Sequence, residues 1–140
     1  MSTYRTLPEQ ESLSNHFKDR FVLSYIGIIS IERDLEIAIR AIINLRFNIS
    51  NIVLIIVGAG PDVPRLKRIT SKLNLDDYVI FTGWVPFLET KTYINISDIC
   101  LITRRSNEWS DLGTPHKHYQ YMALGKPVIT TNVKAIKRNC

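Results

Sequence analysis

The stretch from Asp111 to Gly125 gathers more groups fit for chemistry than any other part of this chain. Thr114 followed by Pro115 reads as the N-cap and first position of a helix that runs to Leu124 and stops at Gly125. The backbone N–H groups of such a first turn have no partner within the helix, so they suit a phosphate or diphosphate. Lys117 lies in that turn and adds a point charge, and Gln120, one turn beyond His116 and Lys117, faces the same cleft. Glu108 and Asp111 precede the helix in a loop, within reach of a bound substrate, and Arg104-Arg105 can grip a phosphate, an acceptor or only water. A plain, well-capped helix accounts for the same residues, and both readings stay open at this point. His116 and His118 are separated by one residue, so on a helix they do not share a face. No Cys or third His near them completes a zinc set, and no metal site is expected.

Two positions earlier in the chain carry a second, weaker signal. Arg33 falls in the first turn of a predicted helix, where the helix dipole disfavours a cation. A cation there needs an anionic neighbour or a route to solvent, and the sequence allows either. Gly27 directly follows an apolar run, which allows a tight turn or the close approach of a ligand to the backbone. The dinucleotide fingerprint fails, because glycine is absent at the second and fifth positions after Gly27. Gly58-Ala59-Gly60-Pro61 is likewise incomplete, and the absence of Gly-Lys-Ser or Gly-Lys-Thr excludes a P-loop.

These residues need elements to hold them. Phe21 to Ile26, Ile52 to Val57, Tyr78 to Phe81, Ile99 to Thr103 and Val128 to Thr130 are short, apolar runs rich in β-branched residues, which read as buried strands. Between them, Leu35, Ala38, Ile39, Ile42 and Ile43 recur at helical spacing within Glu32 to Arg46. Val63, Leu66, Ile69 and Leu73 mark a second helix, with Arg65, Lys67, Arg68 and Lys72 expected to face water, and Phe87 to Tyr93 a short third. Strands and helices alternate, so the expected fold is α/β: a Rossmann-like, doubly wound parallel sheet of about five strands with helices on both faces. Ligands of such sheets bind beyond the carboxyl ends of the strands, where Gly27, Gly58 to Gly60, Gly83 and the loop from Arg104 to Gly113 fall.

Length and composition bound the rest. One domain fits in 140 residues, and 45% apolar against 22% charged residues is the profile of an ordered globular chain. The net charge of +5 suits an anionic partner, but the basic residues are spread over several helices without an aromatic-basic strand pattern, so no nucleic acid is expected. Cys100 and Cys140 are too few for a disulfide scaffold. No apolar run reaches membrane-spanning length, and the polar first twenty residues, with Glu9, Glu11 and Asp19, are unlike a signal peptide. Residues 1–20 read as a leader or interdomain linker with one short helical turn around Glu9 to His16, and order is expected from Phe21 onward, across a domain spanning 21–140.

The chain resembles the C-terminal, donor-binding domain of the retaining GT-B glycosyltransferases of family 4, the glycosyl transferases group 1. The resemblance is carried in order by Tyr25-Ile26-Gly27, Leu54 to Pro61, Val79 to Val85, Ser97-Asp98-Ile99, Thr114 to Lys117 and Gln120 to Ile129. It implies a nucleotide-sugar substrate, a UDP- or GDP-sugar, bound between this domain and an N-terminal acceptor-binding domain that the chain lacks. It implies no cofactor and no metal. Carried over by position, Gly27 approaches the diphosphate and Arg33 neutralises it. Trp84 and Val85 lie where the base is held, Gln120 takes the place of a ribose-binding glutamate, and the backbone of Gly113, Thr114 and Pro115 meets diphosphate and sugar. Arg33, Lys117 and Asp111 are then the catalytic candidates, the two cations stabilising the charge that builds on the leaving diphosphate. Three positions depart from the family pattern: Gln120 itself, Leu112 where a second acidic residue is usual, and Ile28 where a basic residue commonly follows the glycine. The resemblance further implies an incomplete domain, since relatives continue with another strand and closing helices. It also implies a cytoplasmic enzyme that touches the membrane surface, if at all, through its other domain. The isolated chain is expected to be inactive. The alternative is a non-catalytic nucleotide- or phosphate-binding α/β module.

Overall fold

In the computed structural model, which describes residues 10–103 and 124–130, the five apolar runs form one parallel sheet. Its strands are β1 (Phe21–Ile26), β2 (Ile52–Val57), β3 (Val79–Gly83), β4 (Ile99–Ile102) and β5 (Val128–Thr130), in the order β3-β2-β1-β4-β5. Parallel pairing demands crossovers, and those described are the helices α2 (Leu35–Asn48), α3 (Val63–Lys72) and α4 (Phe87–Ile96). The helix expected over Thr114 to Leu124 lies outside the described residues.

Strands β1 to β4 bury both faces, which is why those runs are apolar without alternation, whereas β5, at the sheet's edge and expected to be buried, leaves Ile129 55% exposed. All six residues of β2 are buried. Leu23, Tyr25, Leu54, Ile56, Phe81 and Leu101 point to one face, under Leu35, Ile39 and Ile42 of α2 and Val63 and Leu66 of α3. Val22, Ile26, Val53, Ile55, Val57 and Ile102 point to the other, under Tyr93 and Ile94 of α4. That second face is completed by an N-terminal helix, α1 (Gln10–Phe17), whose Leu13 and Phe17 are 2% and 3% exposed. Packed structure therefore begins before Phe21, where the sequence alone placed it. The helical turn read around Glu9 to His16 is present as α1, but two buried apolar positions in eight residues are too few to show that it packs on the sheet.

The sheet is fastened by polar contacts as well. The Val22 N–H donates to Asp98 Oδ2 at 2.7 Å, and the Asp98 N–H donates back to the Val22 carbonyl at 2.8 Å, which locks β4 onto β1. Beneath them, Ser97 Oγ donates to the Tyr93 carbonyl at 2.6 Å, which leaves its oxygen to accept from Ser24 Oγ, also at 2.6 Å. Each hydroxyl has one proton, so the Cys100 thiol, 3.8 Å from Ser24 Oγ, completes the chain as donor. At the amino end, the Arg20 guanidinium donates to the carbonyls of Asn51 and Ile52, at 2.9 and 3.1 Å.

The largest local departure from expectation concerns Arg33. The helix does not begin at Glu32. Ile31–Arg33 form a single 3-10 turn, Asp34 takes the left-handed conformation at φ 52°, and α2 starts only at Leu35. Arg33 thus lies one residue before the N-cap of α2 rather than in its first turn.

Candidate functional site

The chain reverses its direction of travel across the sheet between β1 and β4, and open α/β sheets bind ligands at that switch, beyond the carboxyl ends of the strands. On one side of that switch, along the same carboxyl edge, the three neighbouring strands β1, β2 and β3 are closed by glycine: Gly27, Gly58 and Gly83. Their loops continue the sheet's hydrogen bonding past the strands. The Gly27 N–H donates to the Val57 carbonyl, the Ile29 N–H to Ala59, the Asp62 N–H to Ile29 and the Gly58 N–H to Gly83, all at 3.0–3.1 Å. Backbones this close leave no room for side chains. A Cβ on Gly58 would sit 2.0 Å from the Gly27 carbonyl oxygen, and one on Gly60 would sit 2.1 Å from that of Ile29. The incomplete glycine pattern of residues 58–60 is thus explained by loop-on-loop contact. The Tyr25 hydroxyl pins the same turn by donating to the Ile28 carbonyl at 2.6 Å.

Between these loops and the start of α4 lies an open pocket of about 320 Å³, at the small end of the range for ligand sites. Its floor is Ile26 and Val57, and its walls are the backbones of Gly27-Ile28 and Gly58-Ala59 with Trp84, Val85, Phe87 and Thr90. The Thr90 hydroxyl is committed to the Phe87 carbonyl at 2.6 Å, and among the described residues no acidic or basic side chain lines the pocket. Ile28, Trp84 and Phe87 stand at its rim 61%, 74% and 67% exposed. Apolar planes beside strand-end backbone suit a flat, weakly polar ring stacked on the indole, with directional contacts from backbone groups. At the carboxyl end of β4, Thr103 is 8% exposed, and its buried hydroxyl has no hydrogen-bond partner among the described residues.

Of the positions singled out in the sequence, Gly27, Trp84 and Val85 are brought together in this pocket. Arg33 is half-buried in the 3-10 turn that follows the Gly27 loop and does not line the pocket. Asp111, Gly113, Thr114, Pro115, Lys117 and Gln120 lie outside the described residues. Sequence reasoning passed over Phe87 and Thr90, which open α4, and noted Ile28 only as a replaced cation. The detectable signal was the consecutive apolar run Trp84-Val85-Pro86-Phe87-Leu88, too exposed for a strand.

Glu36 and Arg40 of α2 form one ion-pair network with Asp62 and Arg65 at the start of α3. Arg65 does not simply face water: its Nε and Nη2 bind both Asp62 carboxylate oxygens at 2.7 and 2.9 Å, and its Nη1 reaches Glu36 at 2.6 Å. Glu36 also accepts from Arg40 at 2.7 Å. Hydrogen bonds from Arg40 and Arg65 hold the Glu36 carboxyl below the usual carboxylate range, and those to Asp62 and Glu36 hold the Arg65 guanidinium protonated. Lys67 lies over the Phe81 ring, 5.7 Å from its centroid, and burial lowers its affinity for a proton. Burial likewise pushes the Cys100 thiol up.

Among curated proteins, an uncharacterised glycosyltransferase of Methanocaldococcus jannaschii, MJ1069, is 26% identical over 127 residues, covering 90% of this chain and 31% of its own length. The GDP-mannose-dependent alpha-(1-6)-phosphatidylinositol monomannoside mannosyltransferase of Mycolicibacterium smegmatis is 30% identical over 81 residues, 58% of this chain and 21% of that protein. Among solved structures, Anabaena Alr3699/HepE in complex with UDP superposes with a TM-score of 0.78 at 20% identity, over 96% of this chain and 37% of that one. The C-terminal domain of the Francisella tularensis glycosyl transferase group 1 protein LpcC gives 0.71 at 18%, over 94% and 69%. The chain spans about a third of the length of MJ1069. The profile of the glycosyl transferases group 1 matches residues 8–138, nearly the whole sequence, and this chain therefore belongs to that family as a GT-B-type α/β domain.

Proposed function

We propose that this chain is the donor-binding domain of a glycosyltransferase, holding a nucleotide-diphosphate sugar for transfer with retention to an acceptor carried by a second domain. One observation carries the reading: three neighbouring parallel strands, β1 to β3, are closed by glycine at the carboxyl edge of the sheet, and their interlocked loops wall an open pocket with Trp84 at its rim. The comparisons lend support, since Alr3699/HepE has been seen with UDP and with UDP-glucose, and the mycobacterial relative is GDP-mannose-dependent. The base stacks beside Trp84 and Val85, and the diphosphate runs past Gly27 toward Arg33. Gln120 hydrogen-bonds the ribose, and the backbone of Gly113, Thr114 and Pro115 meets diphosphate and sugar. Bond cleavage at the anomeric carbon leaves negative charge on the departing diphosphate. Arg33, Lys117 and the N–H groups after Thr114 stabilise that charge more in the transition state than in the ground state, which lowers the barrier. Asp111 lies before this helix, within reach of the donor sugar. The acceptor site belongs to a second domain, through which a cytoplasmic enzyme of this kind would touch a membrane surface.

Calorimetry of the chain with UDP, GDP and the free nucleosides tests this reading. Binding of a nucleoside diphosphate that Arg33→Ala weakens, with the nucleoside affinity unchanged, is the expected result. Absence of binding at millimolar concentrations of either diphosphate would overturn it. A second reading, a nucleotide-binding module without transferase activity, is favoured by Ile28, apolar and 61% exposed where the resemblance expects a cation. Transfer or donor hydrolysis by the chain joined to its acceptor domain separates the two.

A further inference from the structure

The turn that carries Arg33 is gripped at both ends by the first turn of α3. At its start, Ile29 is completely buried, its N–H bonded to the Ala59 carbonyl and its carbonyl accepting the Asp62 N–H at 3.1 Å. At its end, Leu35 is completely buried, and Glu36 beside it accepts from Arg65 at 2.6 Å. Asp62 joins the two grips. Its N–H holds Ile29, while its carboxylate, 7% exposed, binds Arg65 through two nitrogens at once. Between these anchors the chain is tightly wound, with the Arg33 N–H bonded to the Ser30 carbonyl at 3.0 Å and the Asp34 N–H to that of Ile31 at 3.1 Å. The left-handed Asp34 costs an L-residue about 1 kcal/mol and persists only where its surroundings impose it.

A bidentate arginine that spans two helices fixes geometry more than it adds stability. The Arg65 and Glu36 side chains are 32% and 27% exposed, and pairs so placed contribute little net free energy. We infer that Arg65 is a positioning residue for Arg33: through Asp62 and Glu36 it fixes the Ser30–Asp34 turn from which Arg33 extends. This rests on the proposal that Arg33 meets the donor diphosphate, and it assigns the ion pairs of α2 and α3 to the precision of that contact.

The test is calorimetric titration of the folded chain with UDP and with uridine. Arg65→Met, which keeps the aliphatic stem, is expected to weaken UDP about threefold to tenfold while uridine affinity changes less than about twofold. Arg65→Lys should recover part of the loss, and Glu36→Gln, which keeps the shape and removes the charge, should reproduce it. In combination with Arg33→Ala, Arg65→Met should add nothing further, because its effect runs through Arg33. Unchanged UDP affinity in Arg65→Met, equal losses for UDP and uridine, or full additivity with Arg33→Ala would each overturn the inference alone. Failure of UDP and GDP to bind the unaltered chain would instead overturn the donor-domain reading and this inference with it.

Discussion

Replacing Gly60 by alanine tests whether the site's backbone packing is as tight as the structure requires. The added Cβ would lie 2.1 Å from the Ile29 carbonyl oxygen, 2.6 Å from its carbon and 2.7 Å from its nitrogen. All three are backbone atoms and none can swing aside. Since side-chain Cβ atoms essentially never approach heavy atoms within 3.0 Å, the Ile29 peptide must retreat by about 1 Å. That same residue donates to Ala59 and accepts from Asp62 at 3.0 and 3.1 Å, so the retreat strains or breaks both bonds. Overpacking costs about 1–3 kcal/mol and two lost buried bonds about 0.5–1.5 kcal/mol each, which centres the expected destabilisation on about 4 kcal/mol. Gly125 is the control. It has φ 71°, and among the described residues beyond its chain neighbours no atom lies within 4 Å of an added Cβ, so alanine there meets the left-handed penalty of about 1 kcal/mol. Urea unfolding followed by circular dichroism reads the difference: at a slope of about 2 kcal/mol per molar, Gly60→Ala should lower the midpoint by about 2 M and Gly125→Ala by about 0.5 M. Equal midpoints for the two variants would refute the loop-on-loop account of the glycines.

Other consequences are open to measurement. Asp98→Ala removes the acceptor of the Val22 N–H and should destabilise the chain by about 1 kcal/mol in the same assay, whereas Asp98→Asn, which keeps an oxygen there, should lose less. Glu36 has a folded-state pKa below its ordinary 4.5, so its contribution is complete above that value and is lost as pH falls through the folded pKa. The stability gap between the unaltered chain and Glu36→Gln, about 0.5–1 kcal/mol, should therefore stay flat down to about pH 5 and close only below 4.5. A gap that narrows above pH 5 would assign it to another group. Cys100, completely buried with a thiol pushed up by burial, should resist a disulfide reagent in a Cys140→Ser background until the chain is unfolded. Rapid labelling of the native chain would contradict the buried thiol-hydroxyl chain.

Much of the fold was legible because parallel strands must be buried on both faces. Ile52–Val57 is six apolar residues, and all six are buried in β2. The helix pattern Leu35, Ile39, Ile42 likewise marks the buried face of α2. Boundaries were less legible where local geometry overrides periodicity. Glu32 and Arg33 extend the helical pattern on paper, but the left-handed Asp34 cuts them off. At the site, strand-end position singled out Gly27, while Trp84 and Val85 were named through the family resemblance, and the three line one pocket. The pairing of Glu36 with Arg65, 29 positions apart, was not, because an ion pair between two helices depends on their packing and leaves no local spacing. The Asp62–Arg65 half of it, three apart on one helix, follows a pattern that sequence does display.

The central claim is that the carboxyl edge of this sheet binds a nucleoside diphosphate. Amide hydrogen exchange of the chain with and without saturating UDP, repeated with GDP, tests it most directly. The account predicts slowed exchange in the loops at residues 27–29, 58–60 and 83–85, with the amino-end turn at residues 49–51 unchanged. No protection with either nucleotide, or protection confined to that amino-end turn, would contradict it.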